Sequence, residues 1–215
     1  MVKVNISPNI NLNILYFLLV SQVLLLVPQS LRAEYLDHRN RKVDSLEQVL
    51  KTQKLDGREL YSVYDGLMNG YLQTDAAKSS HYAKLAIELA EKHKLYNALC
   101  DSWRVLGLQA YGVCLYDSAQ HCFDRALRAT DQMKNDKQYK ERDIDDNYSM
   151  LYGTLGNLYN IQGMLHLALD YYFKALPIFQ RYGWKESQVI LYYNVGELYL
   201  ELGNYDAAEE NYQKA

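Results

Sequence analysis

Residues 147–215 read NYSMLYGTLGNLYNIQGMLHLALDYYFKALPIFQRYGWKESQVILYYNVGELYLELGNYDAAEENYQKA, and the same pattern occurs in them twice. Gly156, Tyr159, Gly163, Ala168, Tyr172 and Ala175 return as Gly196, Tyr199, Gly203, Ala208, Tyr212 and Ala215, each time 40 residues later. A period of that size, carried by small and aromatic residues, predicts a stack of identical structural units rather than a single closed core.

Each unit reads as two helices. In the last one Tyr192, Val195 and Tyr199 recur at helical spacing, Gly203-Asn204 breaks the run, and Tyr205, Ala208 and Tyr212 open a second apolar stripe. Gly196 and Ala208 are small where two helices must cross closely, and Tyr199 and Tyr212 are large where the hollow beside the crossing must be filled. One such hairpin cannot bury its apolar face alone, so neighbours have to stack on it.

This pattern resembles the tetratricopeptide repeat, in which a bulky residue, Leu-Gly, Tyr, Gly, Tyr, Ala, an aromatic and Ala recur at fixed positions. The last unit matches through Tyr192, Val195-Gly196, Tyr199, Gly203, Tyr205, Ala208, Tyr212 and Ala215. The unit before it matches through Tyr152, Leu155-Gly156, Tyr159, Gly163, Leu165, Ala168, Tyr172 and Ala175. The resemblance implies an all-α, right-handed superhelical solenoid of helix hairpins with a period of about 40 residues. The family's usual period is shorter, so extra residues are expected between Arg181 and Gln188, lengthening a helix or a turn. Pro177 is displaced from the family's closing position and falls inside the second helix or near its end.

Moving toward the N-terminus, residues 134–148 form a charged insert with no apolar periodicity, read as an exposed helix extension or a long loop. The unit at 100–133 fits the pattern through Trp103, Leu106-Gly107, Tyr116, Ala119, Phe123 and Ala126, with Cys114 where a turn glycine is usual. The unit at 57–99 is degenerate: a helix is expected from Arg58 to Leu72, then one capped by Asp75 and running to Leu95, with the small crossing residues out of register. The later units span 149–188 and 189–215, the last one truncated. Residues 34–56 read as a charged lead-in helix burying Leu46, Val49 and Leu50, followed by a turn at Asp56-Gly57.

Residues 11–28, NLNILYFLLVSQVLLLVP, form a long apolar run. It is short for a membrane span and suits the core of a secretory signal, with Ala33 as a cleavage position; residues 1–33 are read as a signal peptide or signal anchor. A buried first helix of a cytoplasmic protein is the other reading. The last unit breaks off inside its second helix without a polar cap, from which a longer protein is expected.

The formal net charge is −3, and −5 once Lys3 and Arg32 are set aside with the first 33 residues. Nucleic-acid binding by this segment is therefore not expected, because phosphate contact needs concentrated Lys and Arg. The cysteines, Cys100, Cys114 and Cys122, have no metal-knuckle spacing and read as small buried hydrophobes, with a Cys114–Cys122 bridge as the alternative. His38, His81, His93, His121 and His166 belong to no HExxH or paired acid–base motif, and no phosphate loop or nucleophile elbow is present. No catalytic residue, metal or cofactor is assigned.

The remaining expectation is recognition. Stacked hairpins make a concave groove, lined in this family by the outward face of each first helix. Carried over, those positions are Asp101, Arg104, Leu108, Tyr111, Asn157, Asn160, Tyr193, Glu197 and Glu201. Asn157 and Asn160 lie on one helical face and suit a ligand backbone, Tyr111 and Tyr193 offer rigid amphipathic contact, and Arg104 suits a carboxylate unless Asp101 neutralises it. The expected partner is a protein or peptide. The arrangement resembles bacterial membrane-bound regulators and sensor histidine kinases, in which an exported repeat array precedes a membrane helix and a cytoplasmic output domain. That resemblance implies an extracytoplasmic sensory role, with membrane tethering outside the array. The alternative is a stand-alone exported scaffold for complex assembly.

Overall fold

The structure, a computed structural model, describes residues 29–215. These form nine α-helices and no strand: α1 (Gln29–Thr52), α2 (Gly57–Tyr71), α3 (Ala76–His93), α4 (Tyr96–Gly112), α5 (Tyr116–Lys134), α6 (Glu141–Ile161), α7 (Leu165–Tyr182), α8 (Lys185–Glu201) and α9 (Tyr205–Lys214). Each helix packs on the next, so α2–α3, α4–α5, α6–α7 and α8–α9 are hairpins, and α1 lies against α2. First helices also approach each other across hairpins, α2 meeting α4 and α4 meeting α6. This is a right-handed solenoid of tetratricopeptide-like hairpins.

Local chemistry sets the corners. The Asp56 carboxylate caps α2 by accepting from the Gly57 amide at 2.7 Å, Asp75 caps α3 by accepting from the Lys78 amide at 2.9 Å, and Asn204 caps α9 by accepting from the Ala207 amide at 3.2 Å. The turn inside each of the last three hairpins needs one left-handed residue. Gly163 (φ 72°) and Gly203 (φ 75°) supply it freely, and Cys114 (φ 60°) supplies it against the steric cost of its Cβ. Cysteine therefore keeps the glycine conformation at the position where the repeat pattern has a glycine.

The hairpins close by one device. Phe123 lies over Gly107, Tyr172 over Gly156 and Tyr212 over Gly196, the pairs always 16 residues apart. A Cβ on Gly156 would fall 2.5 Å from Cδ1 of Tyr172, and one on Gly196 would fall 2.6 Å from Cε1 of Tyr212. Ala119, Ala168 and Ala208 lie buried at matching places on the second helices. In the first hairpin large and small are exchanged. Met68 on α2 is fully buried and packs with Ala83 and Ala86 on α3, which are equally buried. The irregular first unit is thus a complementary inversion of the same crossing, with volume moved from the second helix to the first.

The lead-in helix docks by a similar approach. Gly66 and Gly70, one turn apart on α2, admit Leu46 and Val43 of α1, and a Cβ on either glycine would come within 2.5 Å of the facing side chain. Val43 is the buried anchor, with Leu46, Val49 and Leu50 packed beside it.

The structure decides several readings that the sequence leaves open and corrects others. The charged insert is mostly helix: only residues 135–140 connect, and α6 begins at Glu141. Its apolar stripe was hidden by charge, because Ile144 and Tyr148 are buried four residues apart against Met133 and continue into Leu151 and Leu155. The extra length of the long repeat lies in helices rather than in a loop: α7 runs to Tyr182, only Gly183 and Trp184 intervene, and α8 starts at Lys185. Pro177 lies inside α7, near its C-terminal end. Tyr205 does not open a buried stripe; it stands at the first turn of α9 with 69% of its surface exposed. The cysteines are all free and only Cys100 is buried; Cys114 is exposed at its turn and Cys122 is half-buried on α5. The apolar run 11–28 lies outside the described residues. Among the described residues, no helix is long and apolar enough to cross a membrane.

Candidate peptide-binding groove

The residues expected to line the groove lie on three of the first helices, α4, α6 and α8; α4 meets both α2 and α6. On α4, Asp101 and Arg104 are three residues apart and form an ion pair at 3.8 Å. Arg104 does moderate Asp101, yet burial wins: the Asp101 carboxyl is pushed up to about 6 by desolvation, with Arg104 pulling the other way and the Asp65 and Asp146 charges adding to the rise. The Tyr61 hydroxyl of α2 donates to Asp101 Oδ2 at 3.4 Å, and its own ionisation is driven far up, by burial first and then by the Asp101 charge. Asp65 on α2 is raised by burial and held back by Arg104. Arg104 Nε is buried with no hydrogen-bond partner among the described residues. Together these residues form a half-buried polar cluster in which carboxylates from three first helices act on each other around a single guanidinium.

Leu108 and Tyr111 complete the α4 face. Both are half-buried and pack on the core, and the Tyr111 ring lies 6.3 Å from that of Tyr116. Burial pushes the Tyr111 hydroxyl up to about 12.

On α6 and α8 the expected ligands divide. Asn157 Oδ1 accepts from the Tyr172 hydroxyl at 2.5 Å, and Glu197 accepts from the Tyr212 hydroxyl. Each is the residue after a crossing glycine, so it ties the aromatic lock from above. These two side chains are partly committed to the hairpin and are not free groove ligands. Asn160 is half-buried, Glu201 is exposed at the end of α8, and Tyr193 is 46% exposed with its ring 5.8 Å from that of Tyr212.

Equivalent positions on the later first helices were not singled out in the sequence. Met150 and Ile190, at the Asp101 position of the later repeats, are 39% and 56% exposed. Gly153 holds the Arg104 position on α6, and a Cβ placed there would meet nothing within 4 Å. The later first helices therefore carry exposed apolar side chains at the Asp101 position, and α6 has open space at Gly153. The 40-residue offset from Met150 to Ile190, and the 49-residue offset from Asp101 to Met150, would have found this column. Tyr61 and Asp65 were hidden because the first repeat departs from the pattern. Among the described residues no group of three or more His, Cys, Asp or Glu side chains is arranged to hold a metal ion.

Residues 147–215 match the family model for the tetratricopeptide repeat. No curated protein matches the chain in sequence. Among solved structures, BtubC (BKLC) from P. vanneervenii is similar at 18% identity and a TM-score of 0.65, over 80% of this chain and 67% of that one. Aspartyl phosphate phosphatase F from Bacillus subtilis is similar at 19% identity and a TM-score of 0.70, over 85% of this chain. This chain spans about half, 47%, of that phosphatase. The nearly identical TPR-like repeats of a Podosopora anserina protein named as a kinesin light chain are similar at 13% identity and a TM-score of 0.60, over 86% of this chain and 90% of that one. At such identities the likeness is one of fold.

Proposed function

We propose that this tetratricopeptide-repeat chain is a protein- or peptide-binding module, and that it forms the extracytoplasmic sensory part of a longer signal-transduction protein. Protein–protein interaction is the function to which tetratricopeptide repeats point. The observation that carries the binding reading is the composition of the groove. Exposed Met150, Ile190 and Tyr193 stand on the first helices α6 and α8, Gly153 on α6 faces open space, and the polar cluster of Asp65, Asp101 and Arg104 stands on the first helices α2 and α4. Exposed apolar side chains together with half-buried polar groups suit an extended segment that is held by its side chains and oriented by its backbone.

Support for the sensory reading is of two kinds. The apolar run 11–28 has the length and flanks of a signal or anchor. A structural neighbour is named as an aspartyl phosphate phosphatase. The repeats are read as non-catalytic, so any output belongs to another domain. A free-standing exported scaffold is the second reading, and the same groove serves it.

The binding reading is tested by selecting peptides on the purified chain and repeating the selection on the double variant Met150→Glu, Ile190→Glu. Loss of the selected peptides from the variant is expected, and undiminished binding would place the site elsewhere. Export is tested by fusing residues 1–40 to a reporter enzyme that is active only outside the cytoplasm. An inactive reporter removes the extracytoplasmic role and leaves the binding reading standing.

A further inference from the structure

A second recess lies away from the groove residues, where the end of α3, the start of α4 and the middle of α5 meet. It is a pocket of about 370 Å³. Ala129 and Leu99 form an apolar floor, and Trp103 forms one wall. Three cations, Lys94, Arg125 and Arg128, stand around it against one carboxylate, Glu91. The local balance is +2 in a chain whose formal net charge is −3.

The cations are not equivalent. Arg125 is committed: its guanidinium lies 4.9 Å over the Trp103 ring and pairs with Glu91 at 3.4 Å. Lys94 and Arg128 have no ion-pair or side-chain hydrogen-bond partner among the described residues. Like charges held around one recess repel, and an anion placed between them removes that repulsion while gaining two charge-assisted hydrogen bonds. Trp103 keeps its ring beside the recess because Arg125 stacks on it and the His121 ring meets it edge-on at 6.3 Å. The size lies at the low end of small-ligand pockets.

We propose that this pocket is a binding site for a small organic anion that carries one planar ring. The phosphate or carboxylate group lies between Lys94 and Arg128, and the ring packs against Trp103 over Leu99 and Ala129. The site is separate from the peptide groove, so the two proposals stand or fall independently.

Phenyl phosphate is the probe, with phenol and inorganic phosphate as its two halves. The readout is the pair of indole N–H signals in a ¹⁵N-labelled chain, one from Trp103 and one from Trp184, assigned with Trp103→Phe. Phenyl phosphate is expected to shift the Trp103 signal saturably and to leave Trp184 in place. Lys94→Ala and Arg128→Ala, both changes of exposed residues, are each expected to weaken binding about tenfold, the scale of one charge-assisted hydrogen bond. The proposal is overturned by an absent or non-saturable shift, or by equal movement of both indoles. It is also overturned if phenol or inorganic phosphate binds as well as the intact probe, or if both alanine variants bind like the parent.

Discussion

Gly156 and Tyr172 occupy each other's space so closely that the missing Cβ of the glycine is what admits the ring. Tyr172 is almost fully buried there, and its hydroxyl reaches past the glycine to Asn157. Three residues earlier on α6, Gly153 faces open space. The same substitution should therefore have opposite signs at the two positions. Gly156→Ala forces a buried ring to shift and is expected to cost about 1–3 kcal/mol, the range of overpacked cores. Gly153→Ala removes a flexible residue from a helix interior at no steric cost and is expected to stabilise by about 0.5–1 kcal/mol. Urea unfolding of both variants checks this, and equal effects would contradict the packing described.

Cys114 takes the left-handed conformation that Gly163 and Gly203 take at the equivalent turns. Its side chain is exposed, so little packing is lost when it is removed. Cys114→Gly is expected to stabilise the chain by about 1 kcal/mol, the order of the steric cost of a Cβ in that region. Gly163→Ala is expected to destabilise by a similar amount. Thermal unfolding of the two variants should move the midpoint in opposite directions.

Asp101 makes the polar cluster sensitive to pH. Its carboxyl titrates near 6 in the folded chain, against about 3.9 for an ordinary aspartate. Between roughly pH 4 and pH 6 the folded chain holds a proton that the unfolded chain has released, so this group's effect is that stability falls as pH rises through the window and levels off above it. Asp65, raised by burial as well, acts in the same sense, while Arg104 opposes both. Asp101→Asn keeps an acceptor oxygen for Tyr61 and removes the charge. The expected result is a shallower loss of stability from pH 4 to pH 6, read from urea midpoints. Superimposed pH profiles for variant and parent would show that Asp101 is not desolvated as described.

How much of this was legible beforehand follows from where each contact lies. The 16-residue step from Gly156 to Tyr172 joins the two helices of one hairpin, so both partners sit inside a single repeat and recur with it. Residues such as Met68 and Ala83 also meet inside one hairpin, but with volume exchanged between the helices, and a pattern that looks for the small residue on the first helix passes over them. The stripe of Ile144 and Tyr148 was masked because Glu141, Arg142, Asp143, Asp145 and Asp146 surround it, and a helix end can be charged on every face except one. The order of residues puts the groove candidates on α4, α6 and α8 but not their commitments: nothing in it says that Asn157 accepts from Tyr172.

The sequence by itself determined the repeated hairpin, its helical class and the aromatic-over-glycine lock, because those depend on contacts between residues within one 40-residue unit. Only the tertiary structure decided what happens between units. The Asp65, Asp101 and Arg104 cluster, the docking of α1 through Gly66 and Gly70, and the pocket beside Trp103 each assemble side chains from different hairpins or from the lead-in helix. Their geometry is set by how one hairpin rotates onto the next, and that rotation comes from the summed packing of many side chains rather than from any one position in the repeat.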